Sequence, residues 1–404
     1  MKRPFHSRGV CHKADAPGKS WGHPDAGRRR GWMRIAIIGA GLVGLATAAG
    51  LARRGAQVEV FERAGQEPPA GAGISLFPNS RKAMRRLGLG DGFDRLPHGP
   101  PSGTRTAMRR RDGRIRFSAP APRDHRVRMF HRHDLREFLL ESCGDVTFHW
   151  GATASVADDG DRLRRARLTV DGGGSAPGGP RTVGGWDLVI AADGLRSRTR
   201  TALGLDPGLR YAGYTAWRGV TADPVDTGGT AGEDWAGEHR FGTVPLADGR
   251  VYWFAVASRP AGETAVSRGL ASEKDAVRRE FAGWYETVGA LIDATPEDAV
   301  LRHDIHDLAR PLRVFHRGRV ALAGDAAHAM TPDLGQGAGA GFEDAAALCD
   351  LVSGAGGDRE DHREGQDVVA LLERYSAQRA RSAGRILLAS RFMGKVAHRR
   401  RRTR

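Results

Sequence analysis

The segment Met33–Arg63, MRIAIIGAGLVGLATAAGLARRGAQVEVFER, constrains the fold more than any other stretch of the chain. Arg34–Ile38 is a short β-branched run suited to a strand buried on both faces. It breaks into Gly39-Ala40-Gly41-Leu42-Val43-Gly44, a G-x-G-x-x-G pattern. An Ala/Leu-rich run to Arg54 predicts a helix, and Gly55 stands where a helix C-cap belongs. Val58–Phe61 predicts a second strand, ending in Glu62. Gly39 permits the tight turn, Gly41 lets the backbone approach a pyrophosphate, and Gly44 lets helix and strand pack closely. The helix N-terminus offers free N–H groups and a positive dipole end to phosphates. Glu62 is placed to accept hydrogen bonds from a ribose diol. With a strand before it, a helix after it and the acid at the expected distance, the pattern predicts a dinucleotide site rather than an ordinary glycine-rich turn. NAD and FAD both fit.

The 404 residues have room for two domains or one large α/β unit. No run approaches the length of a transmembrane helix. Cys11, Cys143 and Cys349 lie far apart without a C-x-x-C pair. They read as reduced thiols of a cytoplasmic protein, with no disulfide framework and no structural zinc. The net charge of +16 suggests a polyanion partner until its position is considered. Residues 1–32 carry +6 and residues 391–404 carry +7, which leaves +3 for everything between. The body is close to neutral, and no specific nucleic-acid partner is expected. The first 32 residues lack periodicity and the apolar core of a signal peptide. They read as a disordered basic leader, with translation expected to begin at Met33; the N-terminal mass of the native protein decides this.

Beyond Glu62, Gly71–Asn79 reads as a loop and Ser80–Leu87 as a helix, with Ser80 as N-cap and Gly88 as its stop. The arginine-rich segment 98–127 suggests exposed strands. His131–Leu140 is amphipathic, with Leu135, Phe138 and Leu139 on one face and Arg132 and Arg136 on another. Asp171–Pro180 is a linker or hairpin tip. Trp186–Gly194 is a buried strand ending in Asp193-Gly194, and Arg196-Ser197-Arg198 opens the next helix. From Leu209 to Arg310, aromatics and alternation predict an antiparallel sheet, interrupted by one helix at about Ser272–Thr287. Arg319–Ala323 predicts another buried strand, running into Gly324-Asp325 and a glycine-rich stretch to Gly341. Helices are expected at Phe342–Val352 and within Gln366–Ala397. His303 and His306 would face opposite sides of a strand, so no metal site is expected there. No Ser/His/Asp triad with a nucleophile elbow is evident.

Asp325 follows a strand and precedes a glycine-rich helix start, which favours FAD over NAD. A carboxylate there can bind the ribityl chain, and the glycine run can present N–H groups to the N1–C2=O edge of the flavin. The order of motifs, above all Gly324-Asp325-Ala326-Ala327-His328, Thr331-Pro332 and Gly335-Gln336-Gly337, resembles the FAD-dependent class A aromatic monooxygenases, the p-hydroxybenzoate and salicylate hydroxylase superfamily. The likeness spans Met33 to about Arg391. It implies an α/β protein, a Rossmann-like FAD-binding domain with an inserted antiparallel-sheet substrate domain. The FAD domain would comprise 33–105, 128–208 and 312–355, and the substrate domain 106–127 and 209–311. A C-terminal helical segment, 356–394, and a basic tail, 395–404, would follow.

By this resemblance Gly39, Gly41, Val43 and Gly44 would cradle the pyrophosphate, and Glu62 and Arg63 would hold the adenosine ribose. Ser75 would contact the flavin side, Arg132 would reach the FAD from its helix, and the Ala154 backbone would lie near the adenine. Asp193 would stabilise the turn at the pyrophosphate, and Asp325 would take the ribityl and pyrophosphate region. Gly335, Gln336, Gly337, Ala338 and Gly339 would meet the isoalloxazine, and the Pro332 carbonyl would stand beside it. A narrower likeness, to FAD-dependent urate hydroxylases, rests on Arg210–Tyr214, on Arg240 with Tyr252, and on Ile305-His306-Asp307. It implies that Arg240 anchors or polarises an anionic substrate and that Tyr252 hydrogen-bonds or deprotonates one. Trp217-Arg218-Gly219 departs from that pattern by placing a cation where a neutral residue stands.

The implied reaction reduces FAD with NADH or NADPH and hydroxylates, or epoxidises, a small aromatic or electron-rich substrate with O2 through a flavin C4a-hydroperoxide. The chain would act as a monomer or homodimer. A flavin-dependent reductase or dehydrogenase and a non-catalytic nucleotide-binding sensor are the alternatives. A flavin halogenase would carry a W-x-W-x-I-P signature, which the chain lacks.

Overall fold

The computed structural model describes residues 33–66, 72–120, 127–172, 179–354 and 367–398. The basic leader, the tail beyond His398 and most of the 171–180 connection lie outside the described residues.

A six-stranded sheet forms the centre, in the order His316–Arg317, Val320–Leu322, Leu188–Ala191, Arg34–Ile38, Gln57–Glu62, Thr147–Trp150. All neighbours are parallel except the first pair. Ile35 to Ile37 and Val189 to Ala191 have no solvent exposure, as strands covered by helices on both faces require. Helix Leu42–Ala52 lies in this core. Gly50 lets it approach its neighbours, because a Cβ there would stand 2.6 Å from Leu87 Cδ2 and 2.8 Å from Cys349 Sγ. Strands Ala152–Asp158, Ala166–Gly172 and Arg181–Trp186 form an antiparallel meander beside the core.

The second large sheet has seven strands, in the order Leu301–Leu308, Leu209–Val220, Val251–Ser258, His239–Pro245, Thr230–Ala236, Arg105–Arg109, Ile115–Pro120. It is antiparallel as expected, except that Arg105–Arg109 runs parallel to Thr230–Ala236. Alternation along each strand gives the sheet two different faces. Trp217, Phe241 and Trp253 bury one face against Val277, Phe281, Val288 and Leu291 of two helices. Their neighbours in sequence, Ala216, Arg218, Arg240, Tyr252 and Phe254, point the other way and line a cavity.

Two local expectations need correction. The helix read as Ser80–Leu87 spans Pro78–Arg86, so Ser80 is not its N-cap. Pro78 suits the first helical position, and Ser80 is instead a fully buried residue within the helix. The single helix expected near Ser272–Thr287 is two, Glu273–Glu280 and Glu286–Asp293. Gly283, at φ +74°, adopts a left-handed conformation that breaks the run. Ser272 does cap the first of them, accepting the Asp275 N–H at 3.2 Å.

Candidate active site

The G-x-G-x-x-G turn divides the work of its glycines. A Cβ on Gly39 would stand 2.5 Å from the Ala192 carbonyl oxygen, and one on Gly44 would stand 2.0 Å from that of Gly39. These two are packing glycines. Gly41 meets nothing within 4 Å and lines the cavity, so its backbone is open to a ligand. Glu62 lies just beyond, where its carboxylate accepts the Ala40 N–H at 2.7 Å and the Ala64 N–H at 2.8 Å. That fixes the acid beside the turn while leaving lone pairs for a further donor.

The second turn is built from the inside. The Asp344 carboxylate, fully buried in helix Gly337–Gly354, accepts the Gly324 N–H at 2.9 Å. It also pairs with His328 Nε2 at 2.5 Å and Arg379 Nε at 2.7 Å. Burial opposes each charge, but the partners win: His328 is raised above its ordinary value and Asp344 is held below its own. This buried triad sets the direction of Gly324-Asp325. Asp325 itself is exposed, lines the cavity, and makes no hydrogen bond or ion pair among the described residues.

The cavity measures about 420 Å³, within the range of small-molecule sites. Of the residues singled out from sequence, Gly41, Val43, Ser75, Arg132, Arg240, Tyr252, Asp325, Pro332, Gly335, Gly337 and Ala338 all line it. Gly39 and Gly44 support it. Asp193 does not reach it but holds the turn next to it, accepting the Ser197 hydroxyl at 2.6 Å and the Thr199 N–H at 3.1 Å. Gln336 accepts the Asn79 side-chain amide at 3.2 Å, and Gly339 packs against Asn79 and Ser80. Arg63 is exposed next to Glu62, and Ala154 is buried in the meander. Arg132 has exposed surface but is exposed into a concavity. Protein crowds it enough that burial pulls its pKa down, with Asp325 opposing.

Sequence reasoning gave no role to the residues that surround Arg240. Its Nη2 is 2.8 Å from Asp333 Oδ1, and its Nη1 is 3.3 Å from Glu233 Oε1. The Asp333 side chain has no solvent exposure and also accepts the Tyr214 hydroxyl at 2.7 Å. Two carboxylates therefore flank one guanidinium. Arg240, expected to anchor or polarise an anionic substrate, thus lines the cavity as part of an ion-pair cluster. The unpaired cation on the sheet face is Arg218, which makes no ion pair among the described residues and lies against Tyr252. Burial raises the Tyr252 pKa above the usual phenol value, with Arg218 opposing, so at neutral pH its hydroxyl is protonated and able to donate a hydrogen bond. The ring of Tyr252 lies on Gly73, where a Cβ would approach its Cγ to 2.3 Å. Gly73→Ala is expected to displace that ring at a cost of about 1–3 kcal/mol, read as a lowered denaturation midpoint, with Gly65→Ala, where a Cβ meets nothing within 4 Å and the backbone is not left-handed, as the control for backbone effects alone.

The residues present fit an extended dinucleotide. An open backbone glycine and a fixed acid stand at one end, an unpaired carboxylate and a crowded arginine in the middle, and a sheet face over the far end. This arrangement defines a flavoprotein oxidoreductase. Comparison with known proteins makes the assignment particular. Residues 33–390 match the family model for the FAD binding domain. The chain is 33% identical to the aurachin C monooxygenase/isomerase of Stigmatella aurantiaca, covering 90% of this chain and 89% of that one. It is 34% identical to the FAD-dependent urate hydroxylase of Klebsiella oxytoca, covering 91% of each. The crystal structure of Klebsiella pneumoniae HpxO complexed with FAD and uric acid superposes with a TM-score of 0.73 at 32% identity, over 91% of this chain and 89% of that one. The chain belongs to this FAD-binding family and is an FAD-dependent monooxygenase of the aromatic hydroxylase type. No helix among the described residues is long and apolar enough to cross a membrane.

Proposed function

We propose that the enzyme uses NADH or NADPH and O2 to hydroxylate a small, electron-rich aromatic ring held against the sheet face of the cavity. One observation carries this reading. The glycine-turn residues, Asp325 and the Arg240–Tyr252 face line the same cavity, so cofactor and substrate would meet in one space. Bound FAD supplies hydride acceptance and the activation of O2. In this reading Gly41 and the helix N-terminus behind it take the pyrophosphate. Glu62 and Arg63 hold the adenosine ribose, with the Ala154 backbone near the adenine. Arg132 and Asp325 orient the ribityl chain, with Ser75 alongside. The backbone of Gly335 to Gly339 meets the pyrimidine edge of the flavin, and the Pro332 carbonyl stands at its side. Tyr252 donates a hydrogen bond to the substrate. Strands from 106–127 and 209–311 act as the substrate domain over an FAD domain made of the rest of the body. Both described cysteines are free and buried, with thiols pushed up to about 12 by burial. Inert reduced thiols of this kind suit a cytoplasmic enzyme.

FAD-loaded protein incubated with NAD(P)H, 18O2 and a panel of phenols, aromatic acids and purines tests the reading. The expected result is NAD(P)H oxidation stimulated by one substrate class, with a product carrying one 18O atom. Oxidation that no ring stimulates, with no label in any product, would assign the protein to the reductases instead.

A further inference from the structure

The cavity face of the seven-stranded sheet is ordered by register. Glu233 pairs with Gly242, Gly242 with Phe254, and Phe254 with Arg218. Side chains directly opposite across a sheet share a face, so these four residues form one transverse row. Its ends are a carboxylate and a guanidinium, three strand spacings apart, or about 14 Å between backbone positions. Gly242 has no side chain, and the Phe254 ring fills the space above it, where a Cβ would come within 2.0 Å of Phe254 Cε1. The middle of the row is therefore a flat apolar plate, with a charge of each sign at its margins.

The charge at the Glu233 end is not used up by the protein. Arg240 is shared between Asp333 and Glu233, which leaves this end with one carboxylate in excess. Among the described residues Glu233 has only the Arg240 guanidinium at 3.3 Å and the Trp235 indole beside it, and 31% of its side chain is exposed where it lines the cavity. An anionic substituent placed here would meet this excess negative charge, whereas a hydrogen-bond donor would satisfy it. Burial lifts the Glu233 carboxyl above its ordinary value, with Arg240 opposing, so a donor from the ligand is needed to hold its charge in the closed site. At the other end Arg218 offers a cation that no carboxylate neutralises among the described residues.

We infer that Glu233 is a substrate-recognition residue, and that the substrate is a planar nitrogen heteroaromatic lying along this row, its ring N–H donated to Glu233 and a carbonyl or oxyanion turned to Arg218. The inference rests on the monooxygenase reading above and narrows it from aromatic rings in general to cyclic amides and their hydroxy tautomers. A benzoate-type acid with no donor edge satisfies only the Arg218 end. It leaves the cavity side of the Glu233 carboxylate without a donor, and a site built for a donor discriminates strongly against a ligand that lacks one.

The test uses FAD-loaded enzyme and reads binding from the perturbation of flavin absorbance, so it does not depend on turnover. The probes are uric acid, 4-hydroxy-2-quinolone, N-methyl-4-hydroxy-2-quinolone and salicylate. Wild-type protein is expected to bind the N–H quinolone at least tenfold more tightly than its N-methyl counterpart. Glu233→Leu is expected to shrink that ratio below twofold while FAD content stays the same. Glu233→Gln, which keeps the volume and an acceptor oxygen, is expected to fall between them and serves if the leucine variant is unstable. An equal affinity for both quinolones in wild type, or a ratio that persists in Glu233→Leu, would overturn the inference. So would binding of salicylate alone. Loss of FAD binding or of oxygen transfer altogether would instead strike the monooxygenase reading on which it rests.

Discussion

Asp344→Ala is expected to lower stability by about 3–5 kcal/mol, the usual cost of removing one partner from a buried charged pair, and to yield protein that retains little flavin. Asp344 has no solvent exposure, and one carboxylate satisfies the Gly324 N–H, His328 and Arg379 together. Without it, two cationic groups and a backbone donor are left facing each other in the core. The Gly324-Asp325 turn then loses the contact that aims Asp325 into the cavity. The pH dependence of the deficit follows from the two shifts. His328 is raised above its ordinary 6.5, so its contribution is complete below that value and lost as pH rises through the folded one. Asp344 is depressed below its ordinary 3.8, so its contribution is complete above that value and lost as pH falls through the folded one. Denaturant midpoints of wild type and variant should therefore differ most between about pH 4 and 6.5 and converge on the alkaline side as His328 deprotonates. The Arg379 pair remains there to keep part of the difference. A deficit that does not shrink as pH rises above 6.5 would show that His328 is not charged in the folded protein.

Arg240→Met is expected to be the second costly substitution, and it acts on activity as well. The guanidinium is only 4% exposed and stands between Asp333 and Glu233. Its removal leaves Asp333 buried with only the Tyr214 hydroxyl, again at a cost of about 3–5 kcal/mol. Asp333→Asn in the same chain should restore part of that loss, and a double-mutant cycle should give a coupling of about 0.5–3 kcal/mol. Turnover should fall by about 10²–10³-fold, the scale seen when a fixed donor is removed from a reacting centre. The double variant should recover stability without recovering rate. Recovery of both would make Arg240 a structural residue only.

The parts of this molecule that were legible in the sequence are those whose geometry is set locally. Strand, glycine turn and helix follow one another within Arg34–Ala52, and the sterics of Gly39 and Gly44 are settled by neighbours a few residues away or by the adjoining strand end. The Gly324-Asp325 turn was readable as a strand end entering a glycine-rich helix start, but the contact that aims it, from Asp344, was not. The sheet face was not readable. Arg218, Glu233 and Phe254 form a row only because of cross-strand register, and a shift of one residue in any strand would turn its members to the helix-covered face. Alternation around Trp217 and Trp253 shows that two faces exist but does not say which one meets the cofactor. Asp333 stood in plain sight after Pro332, yet its role depends on Arg240 from a strand 93 residues away. The one-helix reading near residue 280 failed because composition alone does not show that Gly283 takes a left-handed backbone.

The central claim is that one FAD runs from Glu62 across Gly41 to Asp325, with its ring under the row from Glu233 to Arg218. A crystal structure of the FAD-loaded protein tests this most directly. The account predicts pyrophosphate density over the Gly41 backbone, a ribityl hydroxyl on the Asp325 carboxylate, and an isoalloxazine ring beside Pro332 facing Tyr252 and Phe254. Flavin bound elsewhere, with the Gly41 turn bare and the Glu233–Arg218 face open to solvent, would contradict it.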